Sequence, residues 1–87
     1  MWHLYLIRTK LGHLYTGITQ DVQRRFKEHQ EGGVKAAKSL KGKNPLILVY
    51  YEEIGNHSLA LKMEAAIKKW PKEKKESLVR KEIPLAI

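Results

Sequence analysis

The 87-residue chain has no cysteine, which excludes disulfides and thiolate-ligated zinc and fits a reducing compartment. No apolar run approaches the roughly 20 residues that a membrane-spanning helix needs. A basic segment followed by an apolar block and a small-residue cleavage site is also missing from its start. No secretory signal is therefore expected, and the sequence reads as cytoplasmic. The four histidines lack the paired spacing of a zinc site. Internal repeats and linkers are absent, so a single domain over residues 1–82 with a short tail at 83–87 is expected. Acids are scarce: nine Asp and Glu face 17 Lys and Arg, for a formal net charge of +8.

That excess is uneven. Residues 34–51 carry Lys35, Lys38, Lys41 and Lys43 with no acid, whereas residues 62–81 mix lysines with Glu64, Glu73 and Glu76. An unbalanced basic block favours polyanions, nucleic acid ahead of membrane because no amphipathic anchor accompanies it. The plainer alternative is a solubilising lysine surface. Gly32 to Ser39 nearly spells a phosphate-binding P-loop, but Ala37 replaces its second glycine and the stretch follows a predicted helix, not a strand.

Two β-type runs open the chain, Trp2–Ile7 and His13–Ile18, joined by the polar Arg8–Gly12 link as a hairpin. A turn centred on Lys10 sets Tyr5 opposite Tyr15, so that both phenols share one face. Gly17 removes a side chain beside Tyr15, permitting a bulge or a close approach to the backbone. A helix follows, with Thr19 or Asp21 as N-cap and Val22 and Phe26 as an apolar i, i+4 pair. Arg25 and His29 are also four apart and lie beside that pair. Gly32-Gly33 ends the helix.

The 34–44 stretch has room for a short helix through Ala36-Ala37, broken by Gly42 and Pro45. Leu46–Tyr51 reads as a buried central strand closed by Glu52-Glu53. A second helix begins near Ser58 with Met63, Ile67 and Trp70 as its core stripe. Pro71 fits N1 of a third, which runs to about Lys81 with Leu78 and Val79 inward. The expected fold is α/β: a small three-stranded antiparallel sheet flanked by helices in the order ββαβαα.

The residues Tyr5, Leu14-Tyr15-Thr16-Gly17-Ile18-Thr19, Asp21-Val22-Gln23-Arg24-Arg25-Phe26 and His29, with a distant Glu64, resemble the GIY-YIG nuclease family. The likeness is to its compact single-domain bacterial branch (YhbQ-like). The first triplet falls on His3-Leu4-Tyr5 and the second on Tyr15-Thr16-Gly17. His3 stands where the name-giving glycine falls, Ile18 where some relatives carry a polar residue, and Glu76 where many carry asparagine. The resemblance implies an endonuclease acting on DNA, of low sequence preference or selective for a flap or branch, in repair or recombination; RNA stays open. It implies Tyr5 or Tyr15 as general base or water-orienting group, Arg25 as phosphate clamp, and His29 as proton shuttle or phosphate contact. Glu64 is implied as the ligand of Mg²⁺ or Mn²⁺. Arg24, Lys35, Lys38, Lys41 and Lys43 are candidate nucleic-acid contacts, and a specificity partner protein or a homodimer is a further expectation.

The chemistry is coherent in its own terms. Phosphodiester hydrolysis needs an activated water and stabilisation of charge on the phosphate. A phenol titrates near pH 10, so it serves as a base only where cations or hydrogen bonds lower that value. Each residue alone also has an ordinary reading. The tyrosines pack, His29 caps, Glu64 pairs with Lys68, and Arg25 pairs with Glu28. A nucleic-acid-binding module without efficient turnover is the competing function.

Overall fold

Both faces of β1 (Trp2–Arg8) are apolar, and the computed structural model, which describes residues 1–85, covers both. Leu4, Leu6 and Ile7 are fully buried and Tyr5 nearly so. β1 is the central strand, paired antiparallel with β2 (Leu14–Thr19) on one side and β3 (Ile47–Gly55) on the other, in the order β2-β1-β3. The element order is ββαβαα, as expected.

The centre of the sheet differs from expectation. The continuous apolar run of residues 46–51 belongs to an edge strand, in which Ile47 and Tyr51 are exposed and which continues through the two glutamates to Gly55. Apolar continuity marked a strand correctly. The sign of the central position was burial on both faces, which β1 has.

The hairpin register also differs. Tyr5 faces Gly17 and Tyr15 faces Ile7, so the pairing centres on Leu11, not Lys10. The connecting loop is closed by the Thr9 N–H donating to the His13 carbonyl at 2.9 Å, with Gly12 at a φ of 88° that an L side chain rarely adopts. A shift of two preserves side-chain parity, so Tyr5 and Tyr15 remain on one face as diagonal neighbours.

That face packs Tyr5 and Ile7 with Leu40, Leu46 and Phe26 of α1 (Val22–Glu31). The opposite face packs Leu4, Leu6 and Tyr50 with Met63 and Ile67 of α2 (His57–Lys68) and Leu78 of α3 (Lys72–Val79). Trp70 and Val79 lean on the same cluster, as do Ile83 and Leu85 of the expected tail, whose last two positions lie outside the described residues. Each fully buried aliphatic side chain contributes about 1.5–3 kcal/mol.

Asp21 caps α1, accepting the Arg24 N–H at 3.1 Å, and Gly32 ends it in the left-handed conformation. Asn56 caps α2 by accepting the Leu59 N–H at 2.9 Å. Pro71 is the N-cap of α3, one position before the expected N1. The helix expected through Ala36-Ala37 is a 3₁₀ turn at Lys38–Leu40, two residues later. Ala37 is the extended N-cap of that turn and gives its N–H to the His29 ring, so the helical turn begins only at Lys38.

The two ends of the chain are tied by Arg8 and Glu76, 68 positions apart. The guanidinium donates to both carboxylate oxygens, at 2.8 and 2.6 Å, with a longer 3.3 Å bond to the Gly12 carbonyl. Both side chains are mostly shielded from water. The bond from Arg8 holds the Glu76 carboxyl below the usual carboxylate range. Its stabilisation is therefore complete above the unfolded pKa near 4.3 and is lost as pH falls through the lower folded value. Glu76→Gln is expected to cost about 1–2 kcal/mol at pH 7, or roughly 4–15 °C in melting temperature. The gap to wild type should close below about pH 4, measured by thermal melts across pH.

Candidate active site

A buried phenol needs a partner for its hydroxyl. Tyr5 is 2% exposed, and its Oη lies 2.9 Å from Nε2 of His29, which α1 delivers completely buried. The other ring nitrogen, Nδ1, accepts the backbone N–H of Ala37 at 3.2 Å. An amide N–H can only donate, so Nδ1 carries no proton in this arrangement. The neutral ring then carries its proton on Nε2 and donates it to the Tyr5 oxygen. Burial, helped by the nearby Arg25 charge, pushes the His29 pKa down to about 4. Burial, and then the Tyr15 phenol, pushes Tyr5 up, against the pull of Arg25. Near pH 7 both groups are neutral.

Gly17 is what admits the Tyr5 ring. A Cβ at that position would stand 2.5 Å from both Cζ and Oη of Tyr5. Of the two roles open to this glycine in the sequence, the structure realises close approach. Tyr15 completes an aromatic triangle, its ring centroid 6.2 Å from Tyr5 and edge-on to His29 at 5.5 Å. Unlike Tyr5, Tyr15 is only partly buried and reaches the wall of a cleft.

Arg25 stands beside this triangle on α1. Its Nη1 donates to the Glu28 carboxylate at 3.0 Å and to the Lys35 carbonyl at 2.6 Å. A guanidinium has five N–H donors, so these contacts fix it without exhausting it. Burial works against its charge, but the bond to Glu28, with the nearby Tyr5 oxygen, outweighs that and leaves its pKa raised. The ordinary pairing with Glu28 is thus present, and it aims the side chain.

Glu64 belongs to the other side of the sheet. It is half-buried on α2, and Lys68 Nζ lies 3.5 Å from its Oε2. Lys68 in turn lines the cleft that Tyr15 reaches, about 380 Å³ along the edge of β2, where the two helical layers meet. Tyr5, Tyr15, Arg25 and His29 therefore converge directly, while Glu64 connects to them through Lys68 and the cleft. No group of three His, Cys, Asp or Glu side chains converges on a metal position among the described residues. A single carboxylate, mostly shielded and facing only Lys68, suits a Mg²⁺-type ion whose remaining ligands are water and substrate phosphate.

Of the basic candidates, Lys43 lines this cleft. The Lys35 carbonyl holds Arg25, and its side chain borders a separate small hollow with Glu28 and Glu31. Lys38 and Lys41 are exposed on and after the 3₁₀ turn, and Arg24 is exposed on the first turn of α1. Sequence reasoning missed Lys75, Lys68 and His13 as cleft residues, and Arg8 as the partner of Glu76. These meetings depend on how α2 and α3 dock against the hairpin, and no local spacing announces them.

This fold and cluster are those of a GIY-YIG domain. Residues 1–77 match the GIY-YIG catalytic domain, and the chain belongs to that family. It is similar to UPF0213 proteins from Yersinia pestis (strain Pestoides F) and Yersinia pseudotuberculosis (serotype O:3, strain YPIII). Each is 54% identical over 79 residues, covering 91% of this chain and 81% of the relative. A UPF0213 protein from Bacillus halodurans, solved by NMR in solution, superposes with a TM-score of 0.58 at 37% identity, covering 92% of this chain and 84% of that one.

Two outcomes follow from the cluster. Gly17→Ala should push the Tyr5 ring off the backbone and break its bond to His29. The expected cost is about 1–3 kcal/mol in chemical denaturation, with the His29 ring resonances displaced in NMR spectra. Wild-type His29 should stay neutral from pH 8 to about pH 5, seen as a flat imidazole shift. Because its folded pKa lies below the unfolded value near 6.5, its neutral burial costs nothing above that pH and destabilises progressively as pH falls towards 4. His29→Gln should remove that part of the acid slope.

Proposed function

We propose that the protein is a metal-dependent endonuclease that hydrolyses phosphodiester bonds in DNA. Low sequence preference, or selection of a flap or branch, fits a domain this small, and repair or recombination is the process such an activity serves. The observation that carries the reading is the convergence of two tyrosines, His29 and Arg25 on one sheet face, with Tyr15 alone reaching a lysine-lined cleft.

The two phenols divide the work by burial. Tyr5, enclosed and with its pKa raised, is a poor base and serves as a positioning residue. Tyr15 lines the cleft, where its hydroxyl can orient the attacking water by a hydrogen bond. His29 has both ring nitrogens engaged and no exposed surface, so it fixes Tyr5 and α1 in place of touching phosphate. Arg25 offers its unspent donors to the phosphate as charge builds on the non-bridging oxygens. Glu64 would hold Mg²⁺ or Mn²⁺ by a carboxylate oxygen, and the ion when bound would supply Lewis-acid stabilisation and an acidified water. The 34–44 lysines and Arg24 would neutralise flanking phosphates.

A second reading, a nucleic-acid-binding module with little turnover, draws on two contacts: Arg25 already bonds Glu28, and Glu64 already faces Lys68. Substrate or metal must compete with both. A partner protein or a second copy of the chain would be a source of specificity in either case.

Cleavage of linear, flapped and branched DNA with Mg²⁺ or Mn²⁺, against an EDTA control, separates the readings. Tyr15→Phe and Arg25→Ala are each expected to slow cleavage by about 10²–10⁴-fold. Glu64→Ala should abolish metal-dependent cleavage, while Tyr5→Phe loses less. Binding without cutting by wild type would favour the module, and variants that cut like wild type would refute the site.

A further inference from the structure

All the lysines are exposed except Lys43 and Lys75, and both of those line the cleft beside Tyr15. Neither has an ion-pair partner among the described residues. Their stems are partly packed and their ammonium groups are left without a counter-charge in the protein, so an anion in the cleft would meet both. Lys68 and His13 border the same cleft, and no carboxylate is among its lining residues. Thr9 and Thr16 line it as well. Both are more than nine-tenths buried and form its floor.

We infer that this cleft binds a phosphomonoester, the terminal phosphate of a nucleic-acid strand. The inference rests on the nuclease reading for its substrate class and adds which strands are engaged. A backbone diester carries one charge and two free oxygens. A terminal monoester carries about −1.5 to −2 at pH 7 and three strong acceptor oxygens. Two unpaired ammonium groups, Lys43 and Lys75, with the Lys68 ammonium that Glu64 shares and the His13 imidazole, exceed what a singly charged diester needs and match a monoester's double charge. The location agrees: the cleft runs along the edge of β2, between the helical layers, beside the phenol assigned to the water. Strands ending in phosphate would be held there by that end.

The test measures affinity for short single strands of one sequence bearing a 5′-phosphate, a 3′-phosphate or hydroxyls at both ends. Fluorescence anisotropy at fixed salt, without divalent metal, reports binding alone. One phosphorylated strand should bind about tenfold more tightly than the hydroxyl strand, and which one it is identifies the end recognised. The ratio should fall to near one in the Lys43→Ala/Lys75→Ala variant, with folding verified by circular dichroism. In Lys62→Ala, a lysine outside the cleft, affinity for every strand should drop by a common factor and leave the ratio intact. Equal affinities in wild type, or a ratio that survives the double variant, would overturn the inference. A preserved preference in a protein that cuts no DNA would count against the nuclease reading and for this one, so the two fail separately.

Discussion

One buried hydroxyl organises the site. Tyr5 sits at the centre of the sheet with its ring laid on Gly17, and its oxygen is deep enough that water cannot answer it. His29 answers instead, and because its far nitrogen takes the Ala37 N–H, a single bond on β1 fixes α1 and the start of the 3₁₀ turn together. A polar group left alone at that depth would cost about 1–3 kcal/mol. The placement of Arg25 and Tyr15 follows from the same bond, since both flank the His29 ring.

The arrangement separates structure from chemistry within one aromatic pair. The inner phenol is too buried and too firmly neutral to exchange protons freely, whereas the outer one meets a cationic cleft. The positive side chains come from both sides of the sheet, Lys43 from the loop after the 3₁₀ turn and Lys68 and Lys75 from α2 and α3, and they meet at the β2 edge. The Arg8–Glu76 bridge holds α3 against the end of the hairpin and so keeps the far wall of that cleft in place.

Much of this was legible in the sequence because it is local. Period-two alternation revealed the hairpin, Asp21 and Gly32 marked the ends of α1, and the i, i+4 spacing of Arg25 and His29 placed them on one helical face. The Tyr5–Tyr15 face survived a two-residue error in register because a shift of two leaves parity unchanged. Features set by long-range packing were not legible. The apolar run at 46–51 looked central but lies at an edge, since strand order depends on which strand both layers cover. Glu64 was expected among the tyrosines, yet its helix packs on the opposite side, and its link to them is Lys68. The depth of His29 could not be read from a polar residue on a helix: only the tertiary fold closes over it.

The central position of β1 also sets the order in which the chain can fold. The hairpin pairs β1 with β2 through a short loop, but the other edge of β1 waits for β3, which arrives some 40 residues later in the sequence. Closing that long loop carries an entropic cost before any contact repays it. Until β3 docks, β1 has one open edge, and the face that packs on α2 and α3 waits for helices made later still, whereas α1 is made before β3. Docking of β3 therefore closes the edge of β1 that would otherwise be free to pair with another chain.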